Sequence, residues 1–391
     1  MKIFRSIEGL RAWLAWWVVV GHALNLSGAG AYLPRRLAWI MVRGDLAVAL
    51  FMIVSGFVIA NMVLARKERY GPYITRRLFR LLPLFVVVLG LAIASRDIFA
   101  TAFLDNPWTT AHAYRADRMH AEAAYGLLHL GLHLTLLHGI PPDSMIPYAS
   151  TAFLAPGWSL SLEWQFYLLA PLLVAAFTRP RAGSPGLAVL LLLLSGLALH
   201  SMFGRWQLPS FLPLSIAFFW CGITSRLLLD RAASAFAIVM TGLSMALLLT
   251  VSFRSSLQSL LIVALVWVPF LAIAAREART GRSAEWKWAR IVAWLVATNP
   301  VIGTLGRWSY ATYLVHVPLF GIIVGTAMRL SGRVDRPAII LFTLLAVPVI
   351  LLASAALHHF VERPGIRLGA WLLARGTKSR APWGDPASGT A

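Results

Sequence analysis

Arg11 and His22 stand eleven residues apart in an otherwise apolar stretch near the start of the chain. At 100° per residue this spacing is three helical turns plus about 20°, so both side chains share one face, roughly 16 Å apart along the axis. An ionisable group inside a bilayer costs several kcal/mol, which makes each a candidate for chemistry: a guanidinium to hold an anion, an imidazole to exchange a proton. A plainer reading fits the spacing equally well, with an arginine that snorkels to the interface and a histidine satisfied in the core.

Further polar groups fall where a bilayer should forbid them. Arg77 and Arg80 are three residues apart, two guanidinium forks suited to the phosphate oxygens of a donor arriving from the cytoplasm. Positive-inside topology or binding of lipid head groups also accounts for such a cluster. Ser159 and Glu163 are one turn apart, and a membrane-buried Glu163 without a basic residue in its own helix needs a partner from another helix, for which His22 is a candidate. A protonated, hydrogen-bonded packing role is the alternative. Asp45 lies near the level of His22, either as a second carboxylate for it or as a helix-start residue favoured by the dipole. Ser309 and His316 are seven apart with Tyr313 between them, another polar stripe. Glu362, beside basic residues, reads as an interfacial ion pair.

The elements that must position these groups follow from composition. Of 391 residues, 59% are hydrophobic and 13% charged, and the mean hydropathy is +0.73, so the expected class is an all-α, polytopic membrane bundle. The net charge of +20 is read as basic cytoplasmic loops, not as a nucleic-acid surface. A single cysteine, Cys221, excludes an internal disulfide and a cysteine-based zinc site, and no metal site is expected. Apolar stretches predict about ten transmembrane helices: 10–26, 44–64, 79–96, 158–178, 186–203, 209–229, 234–253, 256–275, 308–328 and 337–360. The stretch 124–138, short and carrying His129, His133 and His138, is expected to be a re-entrant or surface helix within a long outer region, 97–157. That choice puts the strongest basic segments on one side and both termini in the cytoplasm. The N-terminal apolar run is not expected to be a cleaved signal, because it holds Arg11 and His22. Residues 1–375 read as one membrane-embedded domain and 376–391 as a disordered cytoplasmic tail.

Taken together, several separated motifs resemble the bacterial acyltransferase family 3, multi-spanning O-acyltransferases of surface glycans and some exported small molecules. Glu8-Gly9-Leu10-Arg11 through Gly21-His22 is similar to the family's first-helix Arg-and-His pattern, and Phe51 to Phe57 (FMIVSGF) to its second-helix motif. Arg76 to Pro83 (RRLFRLLP) resembles its basic motif. Trp158-Ser159-Leu160-Ser161-Leu162-Glu163 through Phe166-Tyr167 resembles its serine-glutamate motif. Ser309-Tyr310 through His316, and Val361-Glu362-Arg363-Pro364, complete the set in order. One departure is Val48-Ala49-Leu50, where many members carry an acidic residue, with Asp45 one turn earlier on the same face. The resemblance covers nearly the whole chain, without the hydrolase-like soluble domain of some relatives, so no second acyl-transfer site is expected.

The resemblance implies an acyl-CoA donor, chiefly acetyl-CoA, no permanently bound cofactor, and a bacterial inner-membrane location. On that basis Arg11, Arg77 and Arg80 are expected to hold donor phosphates, and the pantetheine arm to run up the polar stripe. His22, oriented by Glu163 or Asp45, is the expected general base on an acceptor hydroxyl. Trp158, Ser159, Tyr310 and His316 are expected at the substrates, and Glu362 to be structural. The expected partners are acyl-CoA, an exported glycan or small-molecule acceptor, and the lipid bilayer. Direct transfer and a two-step route through an acyl-histidine or acyl-serine both fit. The rival from another class is a transporter or flippase using the same residues as a permeation path, against which stand the lack of inverted repeats and of broken helix pairs.

Overall fold

The computed structural model describes residues 4–66, 68–178, 184–200, 202–229, 257–280 and 287–378. Within them the chain is helical, with no strand. The helices are α1 (Arg5–Ser27), α2 (Arg35–Met41), α3 (Gly44–Ala65), α4 (Tyr70–Ala94), α5 (Arg96–Leu104), α6 (His112–Ala124), α7 (Gly126–Leu134) and α8 (Gly157–Thr178). They continue with α9 (Ser184–Leu199), α10 (Leu212–Leu229), α11 (Leu257–Thr280), α12 (Lys287–Ala293), α13 (Pro300–Ser331), α14 (Arg336–Leu357) and α15 (Arg363–Lys378). Single π turns join α12 to α13 at Trp294–Thr298 and α14 to α15 at His358–Glu362.

Seven helices among the described residues are long and apolar enough to cross a membrane, against about ten expected. They are Gly44–Ala65, Tyr70–Ala94, Gly157–Ala176, Leu212–Leu229, Gln258–Thr280, Arg290–Ser331 and Arg336–Arg375. The difference has physical causes. Helix α1 is 23 residues long, yet its own Arg11, His22 and Asn25 lower its apolarity. Helix α9 has only 16 residues, about 24 Å of rise. The expected span 234–253 lies outside the described residues, as does 379–391 of the expected tail. Two boundaries also move. Helix α4 begins at Tyr70, not 79, so Arg77 and Arg80 ride on the membrane helix itself. Helix α13 begins at Pro300, where Asn299 Oδ1 accepts from the Ile302 amide at 2.9 Å and proline occupies the first turn.

Close approach of backbones sets the bundle. A Cβ on Gly222 of α10 would run into the backbone of Ile53 and Phe57, and one on Gly56 of α3 into Phe219. In hydrocarbon, where burying apolar area drives little, such small-residue contacts carry helix association. Helices α3 and α10, α1 and α13, and α13 and α14 form the most extensive pairs. One core surrounds α3, α8 and α10 with Phe57, Phe85, Phe166, Phe219 and Trp220. A second wraps the far half of α1 with Val19, Leu26, Phe103, Phe320 and Val324.

The region 97–157 forms a cap. Helix α7 has nine residues, too short to cross a membrane. Its buried His133 stacks on His138 at 4.0 Å between ring centroids, and both lie parallel to Phe85 of α4. His138 Nε2 donates to the Gly157 carbonyl at 2.9 Å, fastening the cap to the start of α8.

Candidate active site

Helices α1, α3, α4, α8 and α13 surround a cavity of about 830 Å³, its open mouth included. Arg11, Arg77 and Arg80 line it with Ser55, Ser159, Glu163, Tyr167, Ser309, Tyr310 and Tyr313 among its polar groups; Phe51, Met52 and Leu160 are among the apolar ones. Six residues singled out in the sequence, on four separate helices, therefore meet at one cavity: Arg11, Arg77, Arg80, Ser159, Glu163 and Tyr310.

Its charge is unbalanced toward cations. Arg80 is ion-paired with the fully buried Glu362, which also accepts from His358 Nδ1 at 3.0 Å. The π turn at His358–Glu362 is what turns that carboxylate inward. Arg77 lies 5.8 Å from the Tyr167 ring centroid, and its buried Nε has no hydrogen-bond partner. Among the described residues neither Arg77 nor Arg11 has a carboxylate partner. Two guanidinium groups without counter-ions in a shielded cavity make a site for an anion.

Glu163 is engaged inside the cavity. Its Oε1 accepts from the Ser55 hydroxyl at 3.2 Å and from the Tyr167 hydroxyl. Tyr310 donates to the Leu81 carbonyl at 2.7 Å and supports Arg80, which sits 5.6 Å from its ring centroid. Ser159 donates to Tyr313 Oη at 2.8 Å, and the buried Ser309 hydroxyl has no partner.

His22 lies beyond this wall. Its ring is 5.1 Å from that of His316, centroid to centroid, and His316 is 6.0 Å from Tyr313. His316 is fully buried; its Nδ1 donates to the Thr312 carbonyl at 3.2 Å, which leaves Nε2 as a lone pair without a partner. His22 is only partly buried. The structure thus gives His22 a neighbour other than the two carboxylates expected for it. Asp45 is exposed and its carboxylate is bound by Arg43 at 2.7 Å, while Glu163 is held by Ser55 and Tyr167. Trp158 packs against the core and does not line the cavity.

Ser55 and Tyr167 were not singled out as site residues from the sequence, and Tyr313 was placed on the polar stripe of Ser309 and His316 without a role of its own. The signal was present for two of them, since Tyr167 follows Glu163 by four and Tyr313 follows Ser309 by four, each on its neighbour's face. Ser55 comes from another helix, and only the fold brings it to Glu163.

The helical membrane bundle thus encloses a cationic cavity with hydroxyl groups on its wall and the His22–His316 pair beyond it. The family model described as an acyltransferase domain matches residues 4–358, so the chain belongs to acyltransferase family 3 and is a membrane acyltransferase. No curated protein and no solved structure matches the chain.

Proposed function

We propose that the protein is a bacterial inner-membrane O-acyltransferase that moves an acetyl group from cytoplasmic acetyl-CoA to a hydroxyl of an exported or surface glycan. The observation that carries this reading is the cavity, which joins two guanidinium groups lacking counter-ions to Ser159 and Tyr313, with His316 and His22 behind them. Arg11, Arg77 and Arg80 bind the donor phosphates. The pantetheine arm runs along the cavity toward Ser159, a course of on the order of 15 Å that matches the axial rise between Arg11 and His22.

His22 takes the proton from the acceptor hydroxyl as its oxygen attacks the thioester carbonyl carbon. The C–S bond then breaks, and the leaving sulfur recovers that proton from the imidazolium. His316, whose ring lies 5.1 Å from that of His22 and whose Nε2 carries a free lone pair, steadies the positive charge that forms there. Glu163 orders the hydroxyl groups of Ser55 and Tyr167 along the donor path. Both termini lie in the cytoplasm, and the cap 97–157 meets the acceptor.

The test is mass spectrometry of exported glycans from a strain lacking the protein, complemented with wild type or with His22→Ala at matched membrane levels. Ester-linked acetyl groups are expected to vanish on deletion and return only with wild type. Unchanged glycan acetylation across all strains, or full recovery with folded His22→Ala, contradicts the assignment.

A further inference from the structure

We propose that Tyr313 is a catalytic residue of the transfer, its hydroxyl donating the hydrogen bond that stabilises the oxyanion formed on the donor's thioester carbonyl. This rests on the acyl-CoA reading above and adds to it the group on which the developing negative charge falls.

The geometry leaves one proton to be placed. Ser159 donates to Tyr313 Oη at 2.8 Å, a shorter contact than its alternative, the Pro156 carbonyl at 3.3 Å. Tyr313 therefore acts as acceptor in that pair, and a phenol has one proton of its own to give. Among the described residues nothing receives it: the hydroxyl makes no other hydrogen bond, and the side chain lines the cavity. A donor committed to no protein acceptor, in a site shielded by Phe51 and Leu160, is an electrophile already oriented toward whatever carbonyl enters.

Its place in the bundle fits the role. The Tyr313 ring meets the edge of Phe51 at 5.9 Å between centroids, which fixes it against α3. It is also 6.0 Å from His316, whose ring is 5.1 Å from His22. Tyr313 is thus the side chain shared by the cavity and the histidine pair. A thioester carbon that must be reached by the cavity-bound donor and by an oxygen activated at His22 has to lie beside it.

The step balances. The acceptor O–H loses its proton to His22 as the C–O bond forms, and the carbonyl π pair moves onto oxygen, where the Tyr313 O–H binds it. Collapse restores the carbonyl, breaks the C–S bond and sends the pair to sulfur, which takes the proton from His22. Ser159 supports the charge through its bond to Tyr313 Oη.

The experiment is steady-state kinetics of full-length protein in detergent or nanodiscs, with Tyr313→Phe and Ser159→Ala, read as acetyl-CoA consumption and as binding of coenzyme A, which has no thioester carbonyl. Tyr313→Phe is expected to lower kcat by about 10²–10³-fold while KM for acetyl-CoA stays within about threefold, because the lost bond exists only in the transition state. Coenzyme A binding stays at the wild-type level, and Ser159→Ala gives a smaller fall in kcat. A Tyr313→Phe enzyme whose kcat lies within about threefold of wild type overturns the proposal. Loss of coenzyme A binding together with activity also overturns it, by assigning Tyr313 to structure. A wild-type protein that consumes no acetyl-CoA in the presence of acceptor instead sinks the donor reading itself, so the two failures are distinguishable.

Discussion

The imidazole rings of His22 on α1 and His316 on α13 face each other at 5.1 Å, tilted by 52°, and no carboxylate pairs with either among the described residues. A buried neutral imidazole whose Nδ1 is tied to a carbonyl presents a lone pair, so His316 acts on its neighbour as a fixed dipole. The consequence is an ordering of variants. His22→Ala should reduce acetyl-CoA consumption by about 10²–10⁴-fold, the usual share of a general base. His316→Gln should fall between that and wild type, with its loss in kcat and not in KM for the donor. Equal activity of His22→Ala and wild type contradicts the scheme.

The two arginines of α4 should separate in their effects. Arg77 has no counter-ion, so Arg77→Ala removes a donor contact alone and is expected to raise KM for acetyl-CoA by about tenfold or more with kcat nearly unchanged. Arg80 is bound to Glu362, a carboxylate with essentially no exposure. Removing Arg80 leaves that charge buried with only the His358 Nδ1 contact, a loss of up to about 3–5 kcal/mol by analogy with broken buried ion pairs. Arg80→Ala should therefore lower the melting temperature as well as donor affinity, and Arg80→Ala/Glu362→Ala should recover part of the stability but not the affinity. Thermal denaturation beside donor titration reads both.

What could be read beforehand was whatever a single helix decides. Arg11 and His22, or Ser159 and Glu163, lie on one face through spacing within one element, and composition alone gives a helical membrane bundle. The six cavity residues followed because unusual polar groups in apolar runs are visible one at a time. Pairings across helices were not visible. The Arg43–Asp45 pair that takes Asp45 away is only two residues apart, whereas nothing local says that Glu163 meets Ser55 across 108 positions or that His22 meets His316. Those partners depend on which faces the glycine contacts press together. The π turn that aims Glu362 at Arg80 was also hidden, since the apolar pattern there reads as one span ending near 360.

The glycine contacts are themselves testable. A methyl group at position 222 has to share space with the backbone of Ile53 and Phe57, which cannot rotate away as a side chain can. Gly222→Ala is expected to destabilise the protein by about 1–3 kcal/mol, the usual cost of overpacking, and to widen the cavity walls that α3 contributes. Gly71→Ala, where nothing lies within 4 Å of a built Cβ, is the control and should leave the melting temperature within about a degree. A melting temperature for Gly222→Ala equal to that of the control contradicts the packing argument.

The cap 97–157 should respond to acid. Burial pulls the His138 imidazole down from its ordinary 6.5 to about 4, and burial with the neighbouring His138 holds His133 well below the ordinary range too. In the unfolded chain both protonate near 6.5, so between about pH 6.5 and 4 the unfolded state binds more protons than the folded one. Stability is then full above pH 6.5 and falls as the pH drops toward 4, by on the order of 1–3 kcal/mol for His138, with His133 acting in the same direction. Below about 4 the His138 share levels off. His138 also fastens the cap to the Gly157 carbonyl, two residues before Ser159, so the cap end of α8 is where opening should begin. Hydrogen exchange at residues 126–160 should accelerate between pH 6.5 and 4.5 before the rest of the bundle does. His133→Phe keeps an aromatic ring stacked on His138 and parallel to Phe85 but cannot be protonated, so its melting temperature should vary less with pH than that of the wild type. An unaltered pH profile in that variant assigns the acid sensitivity elsewhere.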